Sequence, residues 1–314
     1  MDNLNEENKN ETTSLVELGG IKKYTKYKIP LYITFFVIII LLFFYLFRAP
    51  IQKGDTLIHI RANDSLLKVS NELKDKNVIH STFLFKTLVS VLGGDKNIKS
   101  GDYLFKKGES LSNVSWQIIR GIHGVSPIKI TFREGITNEE IIKLLTDKIS
   151  GFDKNLFLND PRTKQGYLFP DTYFFFPLTT TDEILNEMST NFNKKIASKE
   201  NEIKSSGKSL KDIVIMASIL EKEASGKEDT FVISGILWKR IKLGMPLQVD
   251  AAPNTYKIVG LPESPISNPG LLSIDSAIHP KDSPYLFYLH DKEGLVHYAV
   301  NFNEHKINIA KYLK

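Results

Sequence analysis

Eight consecutive residues, Ile213 to Leu220, carry no charge, and acids stand at the first and third positions after them. At about 100° per residue, Ile213, Met216, Ala217 and Leu220 share one helical face, Val214 and Ile219 widen it, and Ile215 leaves almost no polar side. Such a helix must be covered all round, so the core of its domain has to be assembled around it. Glu221 and Glu223 fall on opposite flanks of its end, with Lys222 pointing away, and Ser225-Gly226 follow. Gly226 is a candidate left-handed cap, which places both acids in the last turn. One reading is chemical: apolar walls and the negative end of the helix dipole favour a protonated carboxyl, the form that general acid catalysis uses. The other is that Glu-Lys-Glu is the solvated end of a core helix.

The N-terminal region sets a second constraint. Residues 1–20 are polar and rich in Asn and Glu, Lys22, Lys23, Lys26 and Lys28 come next, and residues 29–47 then run for nineteen positions without a charge up to Arg48-Ala49-Pro50. That length suits a helix crossing a hydrocarbon layer of roughly 30 Å. A shorter apolar core and a small-residue cleavage site would mark a removed signal peptide, and neither is present. The lysines predict a cytoplasmic tail over 1–28, a single-pass inner-membrane anchor over 29–47 and an extracytoplasmic remainder.

Beyond the anchor a strand, a cap and a helical stripe occur three times. Ile58 to Arg61 alternate before Ser65, Tyr103-Leu104-Phe105 precede Ser110, and Ile128 to Phe132 precede Thr137 with Glu140 at capping-box spacing. Units of this kind resemble LysM-like carbohydrate-binding modules and are also common packing devices. Gly166 to Phe176 is an aromatic stretch broken by Pro170. Residues 182–209 read as one long surface helix, and 231–243 as an amphipathic helix carrying Trp238 and Arg240. A polar, proline-rich loop follows with Gln248, Asp250, Asn254, Tyr256 and Asn268, the composition of a binding loop on a rigid scaffold. Tyr285 to Leu289 and His297 to Val300 read as a hairpin, followed by a last short helix.

Several function classes are excluded. The formal charge of +5 is mild and its lysines are scattered without interleaved aromatics, so no nucleic-acid site is expected. The chain has no cysteine, and its seven histidines form neither H-E-x-x-H nor any i, i+4 pair, so no metal or cofactor is expected. There is no G-x-S-x-G. Carboxylate acid–base chemistry remains, with Glu221 as the leading candidate.

Taken together, Gly166-Tyr-Leu-Phe-Pro-Asp-Thr-Tyr173, Ala217-Ser-Ile-Leu-Glu-Lys-Glu223, Leu243-Gly-Met-Pro-Leu-Gln-Val-Asp250, Asn254-Thr-Tyr256, Gly260-Leu-Pro262, Asn268-Pro-Gly270 and Tyr285-Leu-Phe-Tyr288 resemble the YceG-like family of membrane-anchored endolytic murein transglycosylases. The resemblance implies an α+β protein with a single N-terminal transmembrane helix. It implies a LysM-like strand–helix module over 51–125 and a catalytic domain over 126–314. It also implies that Glu221 is the catalytic acid and then base, and that peptidoglycan glycan strands are the substrate, cleaved between N-acetylmuramic acid and N-acetylglucosamine to a 1,6-anhydro end. Glu223 and Ser218 are expected in support, and Arg240, Gln248, Asp250, Asn254, Tyr256 and Asn268 in the glycan cleft. Cell-wall synthases are the expected partners. Three departures stand out: only Ala251, Ala252 and Pro253 separate the Gln-x-Asp and Asn-Thr-Tyr motifs, Gln165 replaces a Glu, and Trp238-Lys239 replaces an Asn. The rival class is a tethered glycan-binding scaffold without catalysis.

Overall fold

The computed structural model describes residues 32–41, 50, 52–94, 98–224 and 226–313. Residues 32–41 form a helix (α1); the rest of the expected anchor over 29–47, and the tail 1–28, lie outside the described residues. No helix among the described residues is long and apolar enough to cross a membrane. Among the described residues, helices and three two-stranded antiparallel sheets make the fold α+β, and the chain divides into two compact units, Met1–Val125 and Ser126–Lys314.

The first unit continues with β1 (Thr56–Ile60), α2 (Leu66–Asp75), α3 (Thr82–Val91), β2 (Gly101–Phe105) and α4 (Leu111–Arg120). β1 and β2 pair from Thr56↔Phe105 to Ile60↔Gly101. Period-two alternation turns Ile58 and Ile60 inward beside Tyr103 and Phe105, where they meet Val69, Leu73, Phe85, Val114 and Ile118 from the helices. Ser65 and Ser110 accept hydrogen bonds from the N–H groups of Lys68 and Asn113 and so start α2 and α4. α3 is an addition that the strand–cap–helix pattern did not contain.

The second unit opens with β3 (Ile128–Thr131), α5 (Asn138–Lys148), α6 (Lys154–Asn159), β4 (Thr172–Phe175) and α7 (Thr181–Ala197). Thr137 and Glu140 close the expected capping box on α5. β3 pairs with β4 from Ile128↔Phe175 to Thr131↔Thr172, and Ile130, Phe132, Tyr173 and Phe175 bury against Ile141, Leu145, Ile184 and Met188. The single long helix expected over 182–209 is instead α7 followed by α8 (Glu200–Ser206). The break comes at Ser198, whose hydroxyl bonds back to the Lys195 carbonyl, a side-chain alternative to the helical ladder.

α9 (Leu210–Glu223), α10 (Lys227–Lys242) and α11 (Leu271–Ile278) then pack into a separate core. β5 (Phe287–His290) and β6 (Val296–Ala299) form the hairpin, pairing from Phe287↔Ala299 to His290↔Val296, and α12 (Phe302–Tyr312) ends the fold. Every residue from Ile213 to Leu220 is buried, as a helix without a polar side requires.

Gly235 marks how closely α10 is approached. A Cβ there would stand 2.0 Å from the Lys281 carbonyl oxygen, a backbone atom. Gly235→Ala should therefore destabilise the protein by about 1–3 kcal/mol, the cost of overpacking, although alanine is favoured in an open helix by about 1 kcal/mol. Urea denaturation checks this; a gain in stability would show that the segment around Lys281 yields freely.

Candidate active site

Glu221 and Glu223 are two residues apart on α9, and the fold sends them to different places. α9 is started by Ser209, which accepts from the Asp212 N–H at 3.1 Å. It ends at Glu223 because Ala224 turns extended at φ −99°, ψ 137°. Gly226 is not the left-handed cap that its position suggested: at φ −141° it is extended backbone that opens α10.

Ser218, wholly buried within α9, donates to the Ile215 carbonyl at 2.7 Å and accepts from the Ile266 N–H at 3.0 Å. Its own carbonyl accepts from the Ser267 hydroxyl at 3.2 Å. These bonds hold the 266–270 loop against the helix. Asn268, expected in the glycan cleft, is instead fully buried. Its Oδ1 accepts from the N–H groups of Gly166 and Leu168 at 2.9 and 3.1 Å, and its Nδ2 donates to the Ile136 carbonyl and to Asn138, both at 3.0 Å. That side chain ties three segments together and has nothing left for a ligand.

The loop so held delivers the start of α11 to Glu221. The Gly270 N–H donates to Glu221 Oε2 at 2.8 Å. Glu134, from the Arg133-Glu134-Gly135 turn after β3, reaches the same place: a Cβ on Gly270 would overlap its carboxylate, and the Leu271 N–H donates to it. Gly135, at φ +76°, lets Glu221 pass, since a Cβ there would lie 3.1 Å from Glu221 Cγ. Burial, and then the charge of Glu221, hold the Glu134 carboxyl above the ordinary carboxylate range, partly opposed by the Leu271 N–H. Glu134 also lines a shallow cavity of about 620 Å³ with Arg133, Glu140, Lys143 and Lys222.

On the other flank, Glu223 lines a cavity of about 480 Å³ together with Arg240, Gln248, Asp250 and Tyr256. Glu223 Oε2 accepts from the Tyr288 hydroxyl at 3.1 Å and Oε1 from the Ala251 N–H at 3.1 Å. The short Ala251-Ala252-Pro253 link folds into a 3-10 turn over Pro253–Tyr256, and the Tyr256 hydroxyl donates to Asp250 Oδ1 at 2.6 Å. Buried Arg240 donates through Nη1 to the Leu247 carbonyl at 2.6 Å and through Nε to the Leu286 carbonyl at 2.7 Å. It thereby pins the binding loop and β5 on α10. Burial, then the charge of Glu223, push the Tyr288 hydroxyl well above the usual phenol range, so it stays a donor. Tyr256 is raised too, first by its bond to Asp250. Gln248 holds a left-handed backbone at φ 53°, an uncommon state for a non-glycine residue.

The structure thus gathers Arg240, Gln248, Asp250 and Tyr256 around Glu223, with Glu221 on the opposite flank. Asn254 is exposed on the 3-10 turn and does not line the cavity. Sequence reasoning assigned no role to Glu134, and none to Tyr288 beyond its place in the hairpin and in the Tyr285-Leu-Phe-Tyr288 motif. It also missed His290 and His305, which line the same cavity from β5 and α12. Among the described residues no group of three or more His, Asp or Glu side chains is placed to hold a metal ion.

An α+β domain with a carboxylate in a polar cavity at the end of a helix buried from Ile213 to Leu220 defines a candidate acid–base site. The chain belongs to the YceG-like family, which it matches over residues 58–253 and 252–311. It is 27% identical over 316 residues to the endolytic murein transglycosylase of Bacillus subtilis, covering 84% of this chain and 87% of that one. It is 30% identical over 177 residues to the endolytic murein transglycosylase of Streptococcus pneumoniae, covering 48% of this chain and 32% of that one. A crystal structure of a yceG-like protein from Listeria monocytogenes is similar with a TM-score of 0.51 at 26% identity, over 81% of this chain and 98% of that one.

A carboxyl whose pKa is raised by folding binds its proton more tightly in the native state, so its stabilising contribution is lost as pH rises through the raised value. Glu134→Gln should therefore gain stability relative to the wild type as pH rises from the ordinary carboxylate range through the raised value. The widening gap is read as the difference in urea midpoints; a gap constant with pH would contradict the Glu134–Glu221 coupling.

Proposed function

We propose that the protein is an endolytic murein transglycosylase whose acid is Glu223. The observation that carries this reading is the convergence of Arg240, Gln248, Asp250, Tyr256 and Tyr288 on the Glu223 carboxylate, around one cavity of about 480 Å³. The names of its relatives supply the substrate, murein. Glu221, bonded to Gly270 and coupled to Glu134, serves as a fixing point between α9 and the start of α11.

A glycan strand laid over the cavity shuts bulk water out of the site around Glu223. The protonated carboxyl gives its proton to the oxygen between N-acetylmuramic acid and N-acetylglucosamine as the bond from the muramic C1 to that oxygen breaks. The carboxylate then removes the proton of the muramic 6-hydroxyl. That oxygen bonds to C1, closing a 1,6-anhydro ring and returning the proton to Glu223. No water is consumed. Because the nucleophile belongs to the substrate, one carboxylate serves where most glycosidases need two. Tyr288 and the Ala251 N–H hold the carboxylate in place between the two transfers.

The rest of the chain fits a tethered enzyme. Residues 51–125 act as a LysM-like glycan-binding module and 126–314 as the catalytic domain. Residues 29–47 anchor the protein in the inner membrane with 1–28 cytoplasmic, supported by the uncharged run and its flanking lysines. The catalytic domain then works outside the membrane on new strands beside cell-wall synthases.

Digestion of purified murein sacculi by the full chain tests the reading. Wild type should release anhydro-muramyl ends. Glu223→Gln should lower turnover by about 10²–10⁴-fold, the usual worth of a general acid, while Glu221→Gln stays within about tenfold and melts at lower temperature. Greater damage from Glu221→Gln would move the acid to the other flank. Binding by the wild type without anhydro products would leave only the scaffold.

A further inference from the structure

The polar groups of the Glu223 cavity are largely paired with one another. Glu223 is bonded to Tyr288 and Ala251, Asp250 to Tyr256, and Arg240 to two carbonyls. Two nitrogens in the wall have no partner among the described residues, His290 Nε2 and His305 Nδ1, and both atoms are withdrawn from the surface. A buried polar atom without a protein partner is uncommon in a folded chain and calls for an explanation.

His305 is the better placed of the two. α12 is capped by Asn301, which accepts from the Glu304 N–H at 3.0 Å, and turns only His305, Asn308, Ile309 and Tyr312 away from full exposure. This stripe at i, i+3, i+4 and i+7 brings the imidazole onto the hairpin. There its ring stacks on Phe287 with centroids 5.2 Å apart and planes at 25°. The rings of Phe287, Phe302 and His305 form one three-ring cluster, so the orientation of the imidazole is set by packing. Burial, and then the nearby Arg240 charge, push His305 below the usual imidazole range, so the ring is neutral at neutral pH. A neutral imidazole carries one donor and one acceptor, which matches a sugar hydroxyl or an N-acetyl group better than a charged ligand.

We propose that His305 is a substrate-positioning residue of this cavity, its imidazole forming a hydrogen bond to a hydroxyl or N-acetyl group of the glycan. The proposal rests on the reading of the Glu223 cavity as the glycan site. His305 takes no part in the proton transfers; it fixes where the saccharide lies relative to Glu223. It thus gives α12, which nothing in the reaction itself requires, a reason to close over the end of the hairpin.

The test uses the full chain with three changes. His305→Phe keeps the ring and its stacking on Phe287 but removes both nitrogens. His305→Asn keeps a hydrogen-bonding group near the Nδ1 position and removes the ring. Each is placed in wild type and in the Glu223→Gln background, and peptide-free murein glycan strands are the probe. The expected result is a rise of about tenfold in KM for His305→Phe with kcat within about threefold, and a matching loss of strand affinity in the Glu223→Gln background. His305→Asn should recover part of both. An unchanged KM and affinity in His305→Phe would overturn the proposal. So would equal damage from both variants, which marks a packing role, or a loss in kcat alone. If His305→Phe fails to fold, the ¹⁵N resonance of Nδ1 in the wild type decides: added strands should shift it, and no shift overturns the proposal. The affinity arm does not need turnover, so an active Glu223→Gln would sink the assignment of the acid without deciding the role of His305.

Discussion

The rotation of α9 about its own axis is the constraint on which the second unit depends. Eight buried residues in succession leave the helix no face to turn toward water, so loops and helices must enclose it on all sides. Ser218 is the one polar side chain among them, and its hydroxyl is used twice, toward Ile215 and toward Ile266. An unmet hydroxyl there would cost about 1–3 kcal/mol, so the helix cannot turn without breaking its link to the 266–270 loop. With the rotation fixed, a step of two residues is about 200° around the axis. Glu221 and Glu223 are close in sequence and face separate surroundings.

Those surroundings differ in kind. Glu221 and Glu134 both accept from the first free N–H groups of α11, where the positive end of a helix favours negative charge. Two carboxylates at one helix end also repel, and part of that repulsion is relieved when Glu134 takes a proton. Glu223 instead accepts from a phenol and a loop amide and keeps an open side toward the cavity. The first arrangement resembles a joint between α9 and α11; the second sets a carboxylate in the wall of a polar cavity.

Much of this was legible in the residues. Period-two and period-3.6 patterns located β1, β2, β3, the hairpin and the helices after Ser65, Ser110 and Thr137, because short-range capping and alternation decide them. The opposite flanks of Glu221 and Glu223 followed from helical geometry alone. Which acid is set among Arg240, Gln248, Asp250 and Tyr256 did not, because that depends on the hairpin and α12, some 65 to 85 residues further along. The same limit hid the fate of Asn268: a loop asparagine looks like a binding group until the distant partners Gly166, Leu168 and Ile136 are seen to use it up. Gly226 was misplaced for the opposite reason, since a glycine near a helix end can close one helix or open the next, and Ala224 had already ended α9.

The link between Asp250 and Asn254 is only three residues long and still closes the cavity wall. Three residues suffice because Thr255 turns inward, accepting from the Val249 N–H at 3.0 Å and donating to the Ala252 carbonyl at 2.6 Å. That closure carries the Ala251 N–H to Glu223 and the Tyr256 hydroxyl to Asp250. Arg240 holds the other end through the Leu247 carbonyl, one residue before the left-handed Gln248. The loop is therefore fixed at both ends by groups that also form the cavity wall. The short link thus still closes the cavity wall, through hydrogen bonds from Thr255, Tyr256 and Arg240.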